Sequence, residues 1–267
     1  MQIQFGSKPF VIASSPEMAK EFLQTHDNIF ASRPPTAAGK YISYNNSDVT
    51  WAPYGPYWRQ GRKIYLTELL NAKRLDSYEY IRVHERRALI SRLYGLSGTS
   101  IVLRDHFYRF TLSTITRTVL GKKYFTTNQD RENKGVVTFE ELKDILDRWF
   151  VLNGVINIGD VIPWLSVFDL QGYLKQMKVL QKDFDKFLDF VLDDHEENMK
   201  EEKDFVPKDM VDIFLKLAED PSLRLSLLEI LLRAEDVCLE EVYGFTTHPK
   251  VPIALILEPR LASHLYN

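Results

Sequence analysis

The chain has 267 residues, 45% hydrophobic and 27% charged, the balance of a globular protein long enough to bury a core as one large domain or two small ones. Its formal net charge of −3 gives no reason to expect nucleic acid, and its single cysteine excludes an internal disulfide framework. No run approaches the roughly 20 apolar residues that cross a bilayer, and Met1-Gln-Ile-Gln-Phe lacks the features of a secretory signal, so a soluble or peripheral chain is expected.

In chain order, residues 2–5 and 9–13 read as two short strands around Gly6-Ser7-Lys8. Ser15 ahead of Pro16 and Glu17 marks a helix start, with Ala19, Phe22 and Leu23 facing inward. Residues 36–50 are polar and aromatic without helical period, which predicts a loop. Residues 53–56 form a second loop, and the fixed φ of Pro56 suits the first turn of a helix beginning near Tyr57. On that helix Trp58 and Arg62 lie four apart on one face, pairing an indole N–H with a guanidinium fork in a geometry that suits an anion. The spacing alone is more often that of a core aromatic beside a solvated arginine.

Residues 72–94 read as a long amphipathic helix with Leu75, Tyr78, Val83 and Leu89 inward, in which Glu79 and Arg82 form an exposed pair. A strand is predicted over 100–103 and a helix over 107–120 that carries Phe107, Phe110, Leu112, Ile115 and Val119 into the core. Residues 139–152 repeat apolar side chains at helical spacing through Leu142, Ile145, Leu146 and Trp149. Residues 153–168, broken by Gly154, Gly159 and Pro163, read as a loop with at most one turn of helix. One long helix follows over 171–200. Within it, His195 has carboxylates on each side, but adjacent helical residues diverge, so a solvated polar helix end is expected rather than a metal site. Pro207 and Asp209 start a helix running through Met210, Ile213, Phe214 and Leu217, and a strand over 251–257 is placed to pair with 100–103.

Several strings share a likeness. Tyr54-Gly-Pro-Tyr-Trp-Arg-Gln-Gly-Arg62-Lys resembles the W-x-x-x-R helix of plant microsomal cytochrome P-450 monooxygenases. Phe30-Ala-Ser-Arg-Pro34 resembles the family's F-x-x-R-P, Leu120-Gly-Lys-Lys-Tyr124 its V-L-G-K-K-Y, and Asn157-Ile-Gly-Asp-Val-Ile-Pro-Trp164 its N-x-x-D-x-I-P-W. Glu241-Val-Tyr-Gly-Phe-Thr-Thr247 and Glu258-Pro-Arg-Leu261 are similar to its C-terminal E-x-x-G-L-x-T and E-P-R-L. The resemblance implies a mainly α protein with small β-sheets, an incomplete cytochrome P-450 fold. Residues 1–223 would be the N-terminal part of that domain, 224–233 a seam, and 234–267 its C-terminal tail.

By the same resemblance, Trp58 and Arg62 match the positions that address a haem propionate, and Tyr41, Tyr44, Val49, Phe245 and Thr246 would line the substrate pocket. Ile162, Trp164, Leu165 and Phe168 would either touch a membrane surface or pack against the next helix. The intact relative takes electrons from cytochrome P-450 reductase at the cytosolic face of the endoplasmic reticulum and hydroxylates a small apolar or phenolic molecule such as a terpenoid or flavonoid. The family's membrane anchor, its oxygen-activating A-G-x-[DE]-T helix and its F-x-x-G-x-R-x-C-x-G ligand loop are not found in this sequence. The one E-x-x-R string, at Glu79-Tyr-Ile-Arg82, sits too early to be the family's haem-pocket pair. Cys238 stands among Glu235, Asp236, Glu240 and Glu241, which disfavour the thiolate that iron requires. His84 and His106 lack a haem-wall setting. The expectation is an inactive chain with no stably bound haem and no metal, or else a non-catalytic module that pairs with a full-length relative or the reductase. Strands 2–5 and 9–13 would lack their usual partners, which predicts marginal stability or association.

Overall fold

The computed structural model describes residues 1–126, 137–201 and 205–218, with the backbone of Ala254–Ile256. Strands β1 (Gln2–Phe5) and β2 (Lys8–Val11) form an antiparallel hairpin with Gln2 opposite Val11. Ser15 caps α1 (Pro16–Lys20) by accepting the Met18 N–H, as its sequence predicts. A wide turn over Glu21–Thr25 then leads to α2 (Asp27–Phe30). The wide turn swings Leu23 off the inward face expected for it, leaving it 79% exposed, while Phe22 packs edge-on against Phe30 at 4.6 Å.

The stretch predicted as a loop over 36–50 holds a helix, α3 (Ala37–Tyr41). Thr36 caps it by accepting the Gly39 N–H at 3.0 Å, and its buried face is Ala37, Ala38 and Gly39. Small residues carry little hydrophobic period, so the pattern hides the helix. Helix α4 (Pro56–Ile64) starts with Pro56 in its first turn and runs into a wide turn over Tyr65–Leu69.

The single helix expected over 72–94 is two, α5 (Ala72–Ser77) and α6 (Glu79–Gly95). They break at Tyr78, whose ring is buried with Tyr65, Ile81 and Phe214, and Leu75 is left 37% exposed. Strand β3 (Ser100–Val102) feeds α7 (Leu103–Val119) and pairs antiparallel with β6 (Ala254–Ile256), the contact anticipated from the sequence. On α7, Leu112 and Val119 are buried as expected, whereas Phe107 is exposed.

Short strands β4 (Phe125–Thr126) and β5 (Val137–Thr138) pair in parallel ahead of α8 (Phe139–Gly154), which opens on a capping box between Thr138 and Glu141. Residues 153–168 hold more helix than the loop predicted. Asn157 caps α9 (Ile158–Val161), and Pro163 opens a 3₁₀ turn over Pro163–Phe168. The hairpin docks here, since the Ser7 N–H donates to the Val161 carbonyl at 2.7 Å. Helices α10 (Tyr173–Glu201) and α11 (Met210–Ala218) complete the described chain.

Three apolar clusters hold these elements, and α10 crosses two of them. Its Met177, Leu180 and Phe184 pack with Ala38, Ile42 and Trp149, and its Phe187 and Val191 with Leu112, Tyr124 and Leu142. Helix α11 joins the second of these to the third, through Val211 on one side and Met210, Ile213 and Phe214 against Leu69 and Ile81 on the other.

Candidate functional site

Helix α4 presents Trp58 and Arg62 as its spacing predicts, with the Arg62 guanidinium 5.5 Å from the Trp58 ring centroid in cation–π range. The indole N–H of Trp58 donates to the Val49 carbonyl at 2.9 Å, and the Tyr57 hydroxyl donates to the Ser47 carbonyl. Two α4 aromatics thus pin the segment that follows α3. Arg62 is exposed and forms no ion pair among the described residues, so its fork of donors is open to an anion.

Of the other nominated pocket residues, Val49 meets this pair through its carbonyl, whereas the described contacts of Tyr41 and Tyr44 lie elsewhere. The Tyr44 hydroxyl donates to Asp185 on α10. Tyr41 lies in a separate groove against α10, and Phe245 and Thr246 fall outside the described residues, as does Cys238. Trp51, not singled out beforehand, donates its indole N–H to the buried Asn153 side chain at 2.8 Å, tying the end of the 36–51 segment to α8.

The groove beside Tyr41 has a volume of about 470 Å³ and includes Val167, Asp169, Lys175, Lys178 and Lys182 in its walls. The Tyr41 ring is flanked by the ammonium groups of Lys40 and Lys178, at 5.3 and 5.1 Å from its centroid. Of the four residues named for a membrane surface, Trp164 and Phe168 are exposed, while Ile162 and Leu165 are half-buried against their surroundings. Val167 and Leu170 join the exposed pair.

His195 corrects the reading of a solvated helix end, because it is buried. Its Nδ1 lies 2.8 Å from the Val191 carbonyl oxygen and 3.0 Å from the Tyr124 hydroxyl, and its Nε2 lies 3.2 Å from an Asp209 carboxylate oxygen. Burial alone would lower the imidazole, but the hydrogen bond and charge of Asp209, with Val191 and Asp212, hold it above its ordinary value. His195, Asp209 and Asp212 bring ligand-type atoms within 4.8 Å of one another. Hydrogen bonds account for them: Asp209 accepts the Asp212 N–H at 3.0 Å and Asp212 accepts the Lys208 N–H at 2.9 Å, which caps α11. The cluster reads as a brace between α10 and α11.

A second buried charge is Glu85 on α6, unmarked in the sequence reading. Its carboxylate accepts hydrogen bonds from Arg117 at 2.7 Å and Lys123 at 2.8 Å. Burial pushes this carboxyl up, and those two cations more than reverse it, leaving it below its ordinary value. No helix among the described residues is long and apolar enough to cross a membrane.

Comparison with known proteins agrees with the residues. The family profile described as Cytochrome P-450 matches residues 1–240. Trimethyltridecatetraene synthase of Zea mays is 36% identical over 230 residues, which are 82% of this chain and 40% of that protein. Cytochrome P-450 71A1 of Persea americana is 39% identical over 228 residues, 83% of this chain and 43% of that one. The chain thus spans less than half the length of these relatives. Among solved structures, a zebra fish cytochrome P-450 superposes with a TM-score of 0.58 at 16% identity, over 88% of this chain and 50% of that one, a likeness of fold. With a profile match over most of its length and plant relatives of this similarity, the chain belongs to the cytochrome P-450 family.

Proposed function

We propose that this chain is a partial plant cytochrome P-450 that keeps the anion-binding face of Trp58 and Arg62 but does not itself carry out monooxygenation. The family reaction is reductase- and O₂-dependent hydroxylation of a small metabolite, and the name of the maize relative favours an apolar, terpenoid-like ligand class for the intact protein. The donor set here does not fit haem iron. What supports this reading is the sequence around the one cysteine: Cys238 has Glu235, Asp236, Glu240 and Glu241 as near sequence neighbours and no glycine-rich ligand loop around it, a pattern that disfavours a thiolate. On the propionate side, the Trp58 indole N–H is already given to Val49, so Arg62 is the group left to hold an acidic edge by charge-assisted hydrogen bonds. Mixing the purified chain with haem, reducing it and adding carbon monoxide is expected to give no thiolate-type Soret shift. Such a shift overturns the reading.

The second reading, a non-catalytic module that pairs with a full-length relative or the reductase, is favoured by the apolar side chains of the hairpin region. Phe5, Phe10, Val11 and Ile12 are all exposed there, on a two-stranded sheet that is marginal by itself in water. Saturable binding to either protein, without haem uptake, separates this from a chain that is merely inert.

A further inference from the structure

Helices α6 and α7 pack side by side, and the end of the first and the start of the second gather cations. Arg92 stands in the last turn of α6, where the helix dipole favours a positive charge. His106 and Arg109 lie three apart on one face of α7, and all three residues are half-buried. Among the described residues the Nη1 of Arg92 is closed off from solvent without an acceptor, and its guanidinium forms no ion pair. A buried donor left in that state costs the hydration it had in the unfolded chain. A second cation adds to the cost. Burial, and then the charge of Arg109, hold the Arg92 guanidinium below its ordinary value against the pull of Glu85, whose oxygens already accept from Arg117 and Lys123.

The imidazole of His106 senses the same cluster. Burial and then Arg92 push it below its ordinary value, Asp105 opposes them, and Arg109 adds to the fall, so at neutral pH the ring is uncharged and offers one N–H. Arg109 is held in place, with its guanidinium 3.9 Å from the ring centroid of Phe139 on α8. The acids stand at the solvent edge: Asp105 is exposed, and Glu140, 65% exposed, comes no nearer to Arg109 than 3.9 Å, a contact worth little in water. The inner side of the cluster is therefore two guanidinium groups and an imidazole. A monoanion would leave one guanidinium uncompensated. A tetrahedral dianion matches both charges, and its oxygens can accept from two planar forks and the imidazole together.

We propose that Arg92, His106 and Arg109 form a binding site at the α6–α7 junction for a tetrahedral dianion, the chemistry of inorganic phosphate or of the phosphate group on a small metabolite. An anion between the two arginines turns a repulsion into two charge-assisted pairs. None of the three residues belongs to the Trp58–Arg62 face, so the assignment is independent of the haem reading.

The test is a titration of the full chain with sulfate, which stays a dianion across the pH range used, at an ionic strength held constant with chloride. Sulfate is expected to raise the melting temperature saturably and to move the titration midpoint of His106, followed through its imidazole proton resonances, upward. Arg92→Met keeps most of the apolar stem and removes the charge. Its affinity for sulfate should fall roughly ten- to a hundredfold, while without sulfate it should melt no lower than wild type. Arg92→Lys restores the charge without the fork and should recover part of the affinity. Arg87→Gln, which removes an exposed arginine from the same helix, should change neither quantity. Phenyl phosphate separates the two sources: tighter binding than sulfate assigns the site to a phosphorylated metabolite, and binding no tighter assigns it to the free ion. No saturable effect of sulfate beyond that of chloride, a His106 midpoint that sulfate leaves in place, or an Arg92→Met chain that binds as wild type each overturns the proposal. So does an Arg87→Gln chain that loses as much affinity as Arg92→Met. An Arg92→Met chain that melts lower without sulfate overturns it as well, because Arg92 then serves the fold.

Discussion

His195 on α10 and Asp209 at the start of α11 face each other at 3.2 Å between imidazole Nε2 and carboxylate oxygen, with both side chains buried. One oxygen of Asp209 caps its own helix while the other meets the imidazole, so the contact joins the end of a long helix to the beginning of a short one. Tyr124 stacks on the same imidazole with ring centroids 6.0 Å apart and donates its hydroxyl to Asp194 at 2.6 Å. Burial, followed by the neighbouring carboxylates of Asp194, Asp209 and Asp212, pushes that phenol far up, so it stays a donor.

His195→Asn is expected to destabilise the fold by about 3 kcal/mol, because it removes the positive partner from two adjacent buried carboxylates. The pH dependence has a definite sign. The folded imidazole is raised above its ordinary value of 6.5, so its contribution is fully present below that value and is lost as pH rises through the folded one. Thermal melts from slightly acidic to mildly alkaline pH should show a decline in wild type that is absent in His195→Asn. A decline of the same size in both would remove His195 from the brace.

Glu85 has the opposite sign. Its folded carboxyl lies below the ordinary 4.5, so its stabilisation is present above that value and is lost as pH falls through the folded one. Glu85→Gln keeps the shape and strips the charge opposite Arg117 and Lys123, and a loss on the order of 2–4 kcal/mol is expected at neutral pH. In urea unfolding the loss should shrink as pH falls through the lowered folded value, where wild type itself loses the charge.

These two nodes also show what was legible in sequence. The inward positions of α10 run 177, 180, 184, 187 and 191, and one more step of four lands on His195. The signal for burial was present, but polar neighbours on every side masked it. Likewise Glu85 follows Ile81 by four on the buried face of α6. What the pattern does not contain is the partner, because Arg117 and Asp209 approach only when separate helices pack. Large apolar residues at helical spacing made α8 and α10 readable. Helix α3 was not, because its packing face is alanine and glycine, and the break at Tyr78 depends on a core pocket supplied by distant residues.

Gly6 joins the hairpin to α9. Its φ is +53°, and a Cβ there would stand 2.3 Å from the Val161 carbonyl oxygen, a backbone atom with little freedom to move. Gly6→Ala is expected to cost roughly 2 kcal/mol locally and to free β1 and β2 while leaving the α10 core intact. Hydrogen exchange should then speed up at the Ser7 amide, which donates to Val161, and stay slow in α8 and α10. Uniform acceleration across the chain would mean that the hairpin is integral to the core.

Trp58 and Arg62 differ in what holds them, and their substitutions should separate accordingly. Trp58→Phe keeps an aromatic ring but removes the N–H that reaches the Val49 carbonyl, so a loss of about 1 kcal/mol is expected. Arg62→Ala removes an exposed guanidinium whose contact among the described residues is the face of Trp58, and stability should change by no more than about 0.5 kcal/mol. Urea denaturation of both variants measures the difference. If Arg62→Ala proves as costly as Trp58→Phe, the guanidinium is committed to holding the fold. It is then not a group in reserve for the carboxylate of a bound molecule.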